Sequence, residues 1–286
     1  MINAGLIGKT NILEPYAHEL LKNSGMNIIG KASVGSDDEL NSFHYTIPEL
    51  NKIELIERAE ILVIDSSIPF PFKLMCDLVK RGKHIFCAEF PDLTFAECSE
   101  LIKLVTESGA VVQICNPYYF TPAMQWLNAN FKGPMFLEYT NICAPDCDNH
   151  SLLKMLLMLT YVTGLTVKKH AAFSYSDDDG NSFSSIRLEY NDASTVDLKF
   201  GQHKTREQFE IKSYANNLFS YFDFRNDVFT SNGQALDLSS FAEATEINAF
   251  IGAIEKNGQP KSTLEHYQQA YELAKKVNRK LAQFRV

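Results

Sequence analysis

The sequence has no apolar run of the roughly 20 residues that a transmembrane helix needs. Its longest candidate, residues 152–165, is interrupted by Lys154. The opening residues, MINAGLIGKTN, lack the basic segment and the cleavage site that are typical of an export signal. We therefore expect a soluble, cytoplasmic protein that does not bind membranes.

Positive charge is also scarce, because 27 Lys and Arg residues face 35 Asp and Glu residues, for a net charge of −8. A chain without a cationic field does not attract phosphate backbones, so nucleic acid is not an expected partner. With 286 residues, 45% hydrophobic and 22% charged, the composition is that of a globular protein with one large or two modest domains.

The six cysteines include no C-x-x-C pair. Cys143 and Cys147, followed by Asp148 and His150, could be drawn as a metal site, but the spacing is not that of a common zinc module. No second ligand pair follows. We therefore predict a polar loop and no metal.

The first 122 residues alternate between short apolar runs and helical patterns. Alternating strands and helices predict a doubly wound parallel sheet with right-handed crossovers. We assign residues 1–122 to a Rossmann-like domain. The first predicted strand ends at residue 8, and four further strands are predicted over residues 26–32, 60–64, 84–88 and 110–115. The predicted helices cover residues 13–23, 70–81 and 94–108.

The pattern changes after Pro122. Apolar residues then occupy every second position in residues 186–190, 196–200 and 209–211, which predicts antiparallel strands with one buried and one wet face. Ser262 and Glu265 form a predicted capping box before a final amphipathic helix. We assign residues 123–286 to an α+β domain with a largely antiparallel open sheet, whose closing helix, residues 263–283, could pack back on the first domain.

The turn after the first strand is where a dinucleotide-binding fold places its pyrophosphate. The expected G-x-G-x-x-G starts at Gly8, but the sequence continues Lys9-Thr10-Asn11-Ile12-Leu13, so only the first glycine is present. Asn11 and Glu14 are predicted to cap the following helix, which would put the negative charge of Glu14 in its first turn.

The end of the second strand lacks the acidic residue that binds the ribose of NAD. Ser33 stands there, and no arginine follows that could bind the 2′-phosphate of NADP. NAD or NADP therefore remains open as a cofactor, and a doubly wound domain without a dinucleotide is at least as consistent with this segment.

Residues 60–94 carry a more specific pattern. A buried strand is followed by Asp65-Ser66-Ser67, a helix, Gly82-Lys-His-Ile and Glu89-Phe90-Pro91. This resembles the Gfo/Idh/MocA family, the glucose–fructose oxidoreductase and inositol dehydrogenase group, which reads A-T-P, G-K-H-V and E-K-P at these places. Further similarity lies in residues 113–123, at Gly164 and in residues 250–260, so that the resemblance covers nearly the whole chain.

The resemblance implies hydride transfer between NAD(P) and a hydroxyl carbon of a sugar or polyol. It also implies a homodimer formed through the open face of the C-terminal sheet. The dinucleotide contacts that it implies are Gly8, Lys9, Thr10, Asn11, Ile12, Ser33, Ser66 and Glu89.

Several residues of the family's reaction site are different here. Phe90 replaces the lysine of E-K-P, and Lys154 stands at the position of the family's histidine, ten residues before Gly164. His150 reaches that position only with an insertion of four residues. The Arg-Arg pair expected before Phe120 is Tyr118-Tyr119. Acid–base catalysis needs a group that exchanges a proton, and the phenyl ring of Phe90 has none.

Lys154 shares one predicted helix face with Ser151, Met158 and Tyr161. If this face lines the interdomain cleft, Lys154 and Tyr161 are candidates for a replacement acid–base pair. If it faces solvent, which the pattern favours, the lysine merely extends its ammonium into water. Tyr118 and Tyr119 likewise either stack on a sugar ring or belong to the core.

Three functions remain open from the sequence. The chain is an NAD(P)-dependent oxidoreductase acting on a sugar-like or polyol substrate, a relative of such enzymes that binds a ligand or partner without redox chemistry, or a different enzyme that uses Lys154, His150 or Glu89. Fold alone does not choose among them.

Overall fold

The computed structural model describes residues 1–33, 46–66, 70–144, 152–164, 166–178, 180–242 and 245–283. The chain forms two compact units. The first unit is Met1–Asn116 with Thr245–Gln268, and the second unit is Pro117–Ala244 with Gln269–Val286. Among the described residues, no helix is both long and apolar enough to cross a membrane.

The first unit is built on a parallel sheet with the strand order β2-β1-β3-β4-β5, which confirms the predicted doubly wound architecture. Its strands are β1 (Ile2–Ile7), β2 (Met26–Ala32), β3 (Ile61–Ile64), β4 (His84–Cys87) and β5 (Val112–Ile114), and the helices between them are α1 (Thr10–Lys22), α2 (Lys52–Arg58), α3 (Phe72–Lys80) and α4 (Phe95–Ser108).

The sheet is buried because helices cover both of its faces. Every residue of β3 is fully buried, as expected for a central parallel strand made of a continuous apolar run. The ring of Phe86, in β4, lies 4.9 Å from the ring of Tyr16 and 5.6 Å from that of Phe250, so aromatic contacts connect the sheet to the helices above it.

The strand order reverses between β1 and β3. Beside β2, on the far side from β1, a single parallel bridge joins Lys31 to Glu49. Because β1 and β3 are neighbours and the strand order changes direction between them, their carboxyl ends lie side by side at the point where open α/β sheets bind ligands.

The second unit contains an eight-stranded sheet with the order β13-β12-β11-β10-β6-β9-β8-β7. Only the β6–β9 pair of this sheet is parallel, which confirms a largely antiparallel sheet. Its strands are β6 (Phe136–Cys143), β7 (Val167–Ser176), β8 (Ser182–Tyr190), β9 (Thr195–Gln202), β10 (Gln208–Ala215), β11 (Leu218–Asp223), β12 (Val228–Ser231) and β13 (Gln234–Ala235), and it also contains helices α5 (Pro122–Asn130) and α6 (Leu152–Thr163).

The two faces of this sheet differ in polarity. Tyr139 pairs with Ile211 and is fully buried, whereas its neighbour Glu138 pairs with Lys212 on the opposite face. That opposite face is the open face of the sheet. It also carries the exposed ring of Phe173 and the ion pair between Arg187 and Asp197, whose atoms are 3.5 Å apart.

Two predicted helix caps are wrong. Helix α1 begins at Thr10, before the predicted start, so Lys9 is its N-cap without a side-chain hydrogen bond and Glu14 lies beyond its first turn. Helix α8 (Leu264–Gln283), which follows α7 (Glu246–Glu255), is capped one residue later than predicted. The Oγ1 of Thr263 accepts the N–H of His266 at 3.3 Å, in place of Ser262 with Glu265.

Candidate functional site

The turn after β1 is packed against an aspartate that follows β3. Gly8 adopts a φ of +138°, and a Cβ on it would lie 2.2 Å from the Cβ of Asp65. Asp65 is fully buried, and its Oδ2 accepts a hydrogen bond from the backbone N–H of Lys9 at 3.1 Å. The glycine is therefore required by both its conformation and the close approach of Asp65.

Asp65 brings a carboxylate to the amino end of α1. The first N–H groups of a helix have no partner within it, and together they attract anions. At the amino end of this helix the N–H of Lys9, its N-cap residue, already donates to Asp65. Sequence reasoning missed Asp65 because it lies 56 positions from Lys9 and follows a different strand.

The remaining residues predicted in this turn have mixed surroundings. Lys9 and Asn11 are exposed and Thr10 is half-buried. Ile12 is also half-buried, and its side chain packs against the core of the first unit, so it acts as a packing residue.

A second carboxylate lies at the end of β2. The N–H of Ser33 donates to Glu49 at 2.6 Å and the Ser33 hydroxyl donates to the same carboxylate at 3.1 Å. Lys31 forms an ion pair with Glu49 at 3.6 Å. Glu49 thus places an acidic group beside Ser33, where the sequence itself has none, and its oxygens are already engaged by Ser33 and Lys31.

Ser66 and Glu89 lie at the carboxyl ends of β3 and β4. Ser66 is near the thiol of Cys87, where burial raises the pKa of Cys87 to about 12 and the Ser66 hydroxyl partly offsets this. Cys87 therefore stays protonated at neutral pH and is not a ready nucleophile. Glu89 is half-buried and contributes to the raised pKa of Tyr16, after burial and the larger effect of Glu246.

Phe90 is a packing residue of the first unit. Its ring lies 5.8 Å from the ring of Tyr267 and packs against the buried core. The hydroxyl of Tyr267 donates to the carbonyl oxygen of Pro91 at 2.6 Å, which holds the segment around Phe90 against α8. Nothing at position 90 can carry a proton to a substrate.

In the second unit, Tyr118 is surrounded by aromatic rings and by the charge of Lys154. Its ring lies 5.8 Å from Phe209 and 6.3 Å from Tyr139. Burial raises the pKa of Tyr118, and the positive charge of Lys154 lowers it in part. The Tyr139 hydroxyl accepts a hydrogen bond from Asn141 at 3.3 Å, so several polar groups meet in this cluster.

Tyr119 and Tyr161 form a separate contact in the same unit. Their rings are 4.1 Å apart, and burial raises the pKa of both phenols. Tyr119 is buried, and its hydroxyl accepts a hydrogen bond from Asn128 at 3.2 Å. The structure thus gives Lys154 and Tyr161 different tyrosine neighbours.

Some predicted groups cannot be placed in this way. His150, Cys147, Asp148 and Ser151 lie outside the described residues. Within the described ranges, no group of three or more His, Cys, Asp or Glu side chains could hold a metal ion.

No protein family and no curated protein matches the chain in sequence. Solved structures match its fold over nearly its whole length. UDP-N-acetylglucosamine 3-dehydrogenase from Acidithiobacillus ferrooxidans has a TM-score of 0.83 at 16% identity, covering 99% of this chain and 98% of that one. A dehydrogenase from Clostridium difficile has a TM-score of 0.79 at 16% identity, covering 98% and 99%.

A third similar structure is a biliverdin reductase from Synechocystis in complex with biliverdin and NADP⁺. Its TM-score is 0.69 at 14% identity, and 98% of this chain and 99% of that chain are covered. The chain has the fold of these dehydrogenases. At such identities the likeness shows the shared fold alone.

The fold therefore raises the question of a dinucleotide, and the residues around Gly8 do not fit one. A pyrophosphate bound at α1 would need the N–H groups that begin the helix. The buried carboxylate of Asp65 accepts the N–H of Lys9 there. Its negative charge would lie beside the negative charges of the pyrophosphate and repel them.

Proposed function

We propose that this chain is a divergent member of the Gfo/Idh/MocA family that binds a small sugar-like ligand and does not carry out NAD(P)-dependent hydride transfer. Membership is supported by the fold shared over 99% of the chain and by the motifs of residues 60–94. The loss of hydride transfer is supported above all by the Asp65 carboxylate at the amino end of α1.

Phe90 supports the same conclusion independently. Oxidation of an alcohol requires a group that accepts the hydroxyl proton while the hydride leaves carbon. The resemblance implies a lysine at this position for that task. A phenyl ring packed against Tyr267 instead contributes to stability.

The ligand site that we propose lies in the second unit, at Tyr118 and Lys154. Sugars bind well to an aromatic face combined with a few hydrogen-bonding and charged groups. The half-buried ring of Tyr118 and the charge of Lys154 supply this combination.

One observation favours a second candidate, an NAD(P)-dependent oxidoreductase acting on a sugar-like or polyol substrate. The charge of Lys154 acts on the Tyr118 phenol, which makes these two residues the candidate acid–base pair of such an enzyme. In this case the dinucleotide would have to displace Asp65 from the Lys9 N–H.

Titration with NADH and NADPH tests the proposal and separates the candidates. We expect no change in nucleotide fluorescence or in melting temperature at millimolar concentrations. The Synechocystis biliverdin reductase, whose structure holds NADP⁺, serves as the positive control with NADPH. Binding at 100 times the Kd would add about 2.7 kcal/mol of stability, so saturable binding could not be overlooked and would reject the proposal.

The sugar-like ligand is tested with the same melting assay. Hexoses, polyols and nucleotide sugars are added one at a time, and we expect at least one class to stabilise the protein. Replacement of Tyr118 by Ala should abolish that stabilisation, whereas replacement of Phe95, an exposed ring of the first unit, should not. If no compound in these classes stabilises the protein, the proposed ligand class is wrong.

We also propose that the chain forms a homodimer through the open face of the eight-stranded sheet. This face carries the exposed rings of Phe173, Tyr175 and Phe183 beside the Arg187–Asp197 ion pair. Exposed aromatic groups next to paired charges are typical of a surface that is covered in an assembly. Sedimentation velocity measures the oligomeric state directly.

A further inference from the structure

We propose that Asp65 is an internal substitute for a phosphate, and that its side chain excludes dinucleotides from the turn after β1. The inference rests on the proposed function, and it names the residue of the first unit that prevents dinucleotide binding. It predicts that the turn after β1 regains affinity for a diphosphate when Asp65 alone is replaced.

The shape of the turn has been retained. Gly8 still adopts the positive φ of a tight strand-to-helix turn, and α1 begins two residues later. The side chain of Lys9, the N-cap residue, makes no hydrogen bond to the helix. The backbone of the turn therefore remains arranged to receive an anion.

The carboxylate of Asp65 supplies that anion from within the chain. It is fully buried and accepts the N–H of Lys9, as a phosphate oxygen would do. A buried carboxylate is costly unless hydrogen bonds and a favourable potential compensate it. The amino end of α1 provides both, so the features that would bind a phosphate stabilise Asp65 instead.

Charge and volume both contribute to the exclusion. A phosphate oxygen that accepted the same N–H would lie next to the Asp65 oxygen. Because this site is shielded from bulk water, the two negative charges would repel each other strongly. The side chain also fills the space in front of Gly8, whose absent Cβ would already collide with it. Asn at position 65 removes the charge and keeps the volume, whereas Ala removes the whole carboxyl group and keeps only the Cβ.

The test uses the full chain and measures the affinity for inorganic pyrophosphate and for NADH by isothermal titration calorimetry. We expect no binding to the natural protein at millimolar concentration. Asp65→Ala should bind pyrophosphate at least about tenfold more tightly than the natural protein, which corresponds to about 1.4 kcal/mol. Asp65→Asn should show a smaller gain.

A matched control shows whether the gain depends on the position of the charge. Glu57→Gln removes one carboxylate from an exposed position in the first unit and should leave pyrophosphate binding unchanged. The amide resonances of Lys9 and Thr10 should shift when pyrophosphate binds to Asp65→Ala, which places the anion at the turn. Equal gains in Glu57→Gln, or shifts elsewhere, would overturn the inference.

The outcomes separate this inference from the proposed function. If the natural protein binds NADH, both are wrong. If neither the natural protein nor a folded Asp65→Ala or Asp65→Asn variant binds pyrophosphate, the inference fails and the proposed function stands. Asp65→Asn keeps an acceptor for the Lys9 N–H, so it provides a folded variant if the alanine variant does not fold.

Discussion

The hydroxyl of Tyr16 donates a hydrogen bond to the carboxylate of Glu246 at 3.1 Å, although the two residues are 230 positions apart. Glu246 also accepts the backbone N–H of Asn116, and its own carbonyl oxygen accepts the side-chain N–H of Gln113 at 3.0 Å. One buried carboxylate thus joins α1, the end of β5 and the start of α7. Burial and the charge of Glu246 raise the pKa of Tyr16, so its hydroxyl stays a donor at neutral pH.

Tyr16→Phe should destabilise the first unit. The change removes one hydrogen bond to a buried carboxylate and leaves that charge less compensated, which costs about 1–3 kcal/mol. Urea unfolding followed by circular dichroism measures the loss. Tyr175→Phe removes a hydroxyl from an exposed ring of the second unit and should change the unfolding free energy much less. Equal effects of the two substitutions would show that the Tyr16–Glu246 contact contributes little.

The sequence predicted those elements whose burial leaves a simple pattern. Strand β3 begins one residue after its predicted start, because a continuous apolar run distinguishes a covered parallel strand. Strand β2 was predicted with the bounds that it has. Strand β7 was not predicted. Its segment, VKKHAAFSYS, mixes polar and apolar residues on both faces, and the exposed ring of Phe173 breaks the alternation.

The polar contacts of the candidate site could not be predicted in the same way. Asp65 contacts Lys9 because the neighbouring strands β3 and β1 end at the same edge of the sheet. Glu49 contacts Ser33 because a parallel bridge holds its segment beside the end of β2. Such contacts depend on strand order, which hydropathy does not specify. A signal was nevertheless present, because Asp65 is an acidic residue directly after an entirely apolar strand.

His84 should make the stability of the first unit depend on pH. Burial lowers the pKa of His84, partly opposed by Glu60, and its Nδ1 accepts the N–H of Val111 at 3.0 Å. Because the unfolded chain binds the proton more readily, this stabilising contribution is fully present above the ordinary histidine pKa of about 6.5. It is lost as the pH falls from there through the lower pKa of the folded state.

The expected result is a shallower pH dependence in His84→Asn. Asn cannot titrate but can still accept the Val111 N–H. Chemical unfolding at a series of pH values below neutrality compares the slopes of the two proteins. His18→Asn, at an exposed position of α1, is the control substitution. An unchanged slope in His84→Asn would show that this histidine does not contribute.

Phe90→Lys should not create a dehydrogenase. The lysine would replace a ring that packs against Tyr267 and the core, so we expect a loss of stability of about 1–3 kcal/mol. Phe95→Lys, at a ring that is half exposed, should cost less. Turnover is followed by NADH absorbance with sugars and polyols as substrates. Measurable turnover in Phe90→Lys alone would mean that Asp65 does not block the dinucleotide.

Lys154→Met should raise the pKa of Tyr118 further. The positive charge of Lys154 lowers this pKa against the larger effect of burial, so its removal leaves burial less opposed. Ultraviolet difference titration of the phenols measures the shift, and Tyr118→Phe identifies the responsible ring. Lys132→Met, at an exposed position of the same unit, is the control. A titration curve identical to that of the natural protein would remove Lys154 from the proposed ligand site.

Phe183→Asp should convert the proposed homodimer into a monomer. Phe183 pairs with Gly201 in β9 and with Tyr175 in β7, and all three positions lie on the open face of the sheet. A carboxylate there would be buried without a partner in the dimer but exposed to water in the monomer, so the monomer should be favoured. Because Phe183 is 40% exposed, the fold of the monomer itself should tolerate the change.

Sedimentation velocity of the natural protein and the variant at equal concentrations measures this effect. Val228→Asp adds the same charge at an exposed position in β12, toward the other end of the sheet, and shows whether the interface extends that far. A dimer that persists in Phe183→Asp would exclude this end of the open face from the interface. A natural protein that sediments as a monomer at every concentration would exclude the proposed assembly altogether, because no partner copy would then cover the exposed rings.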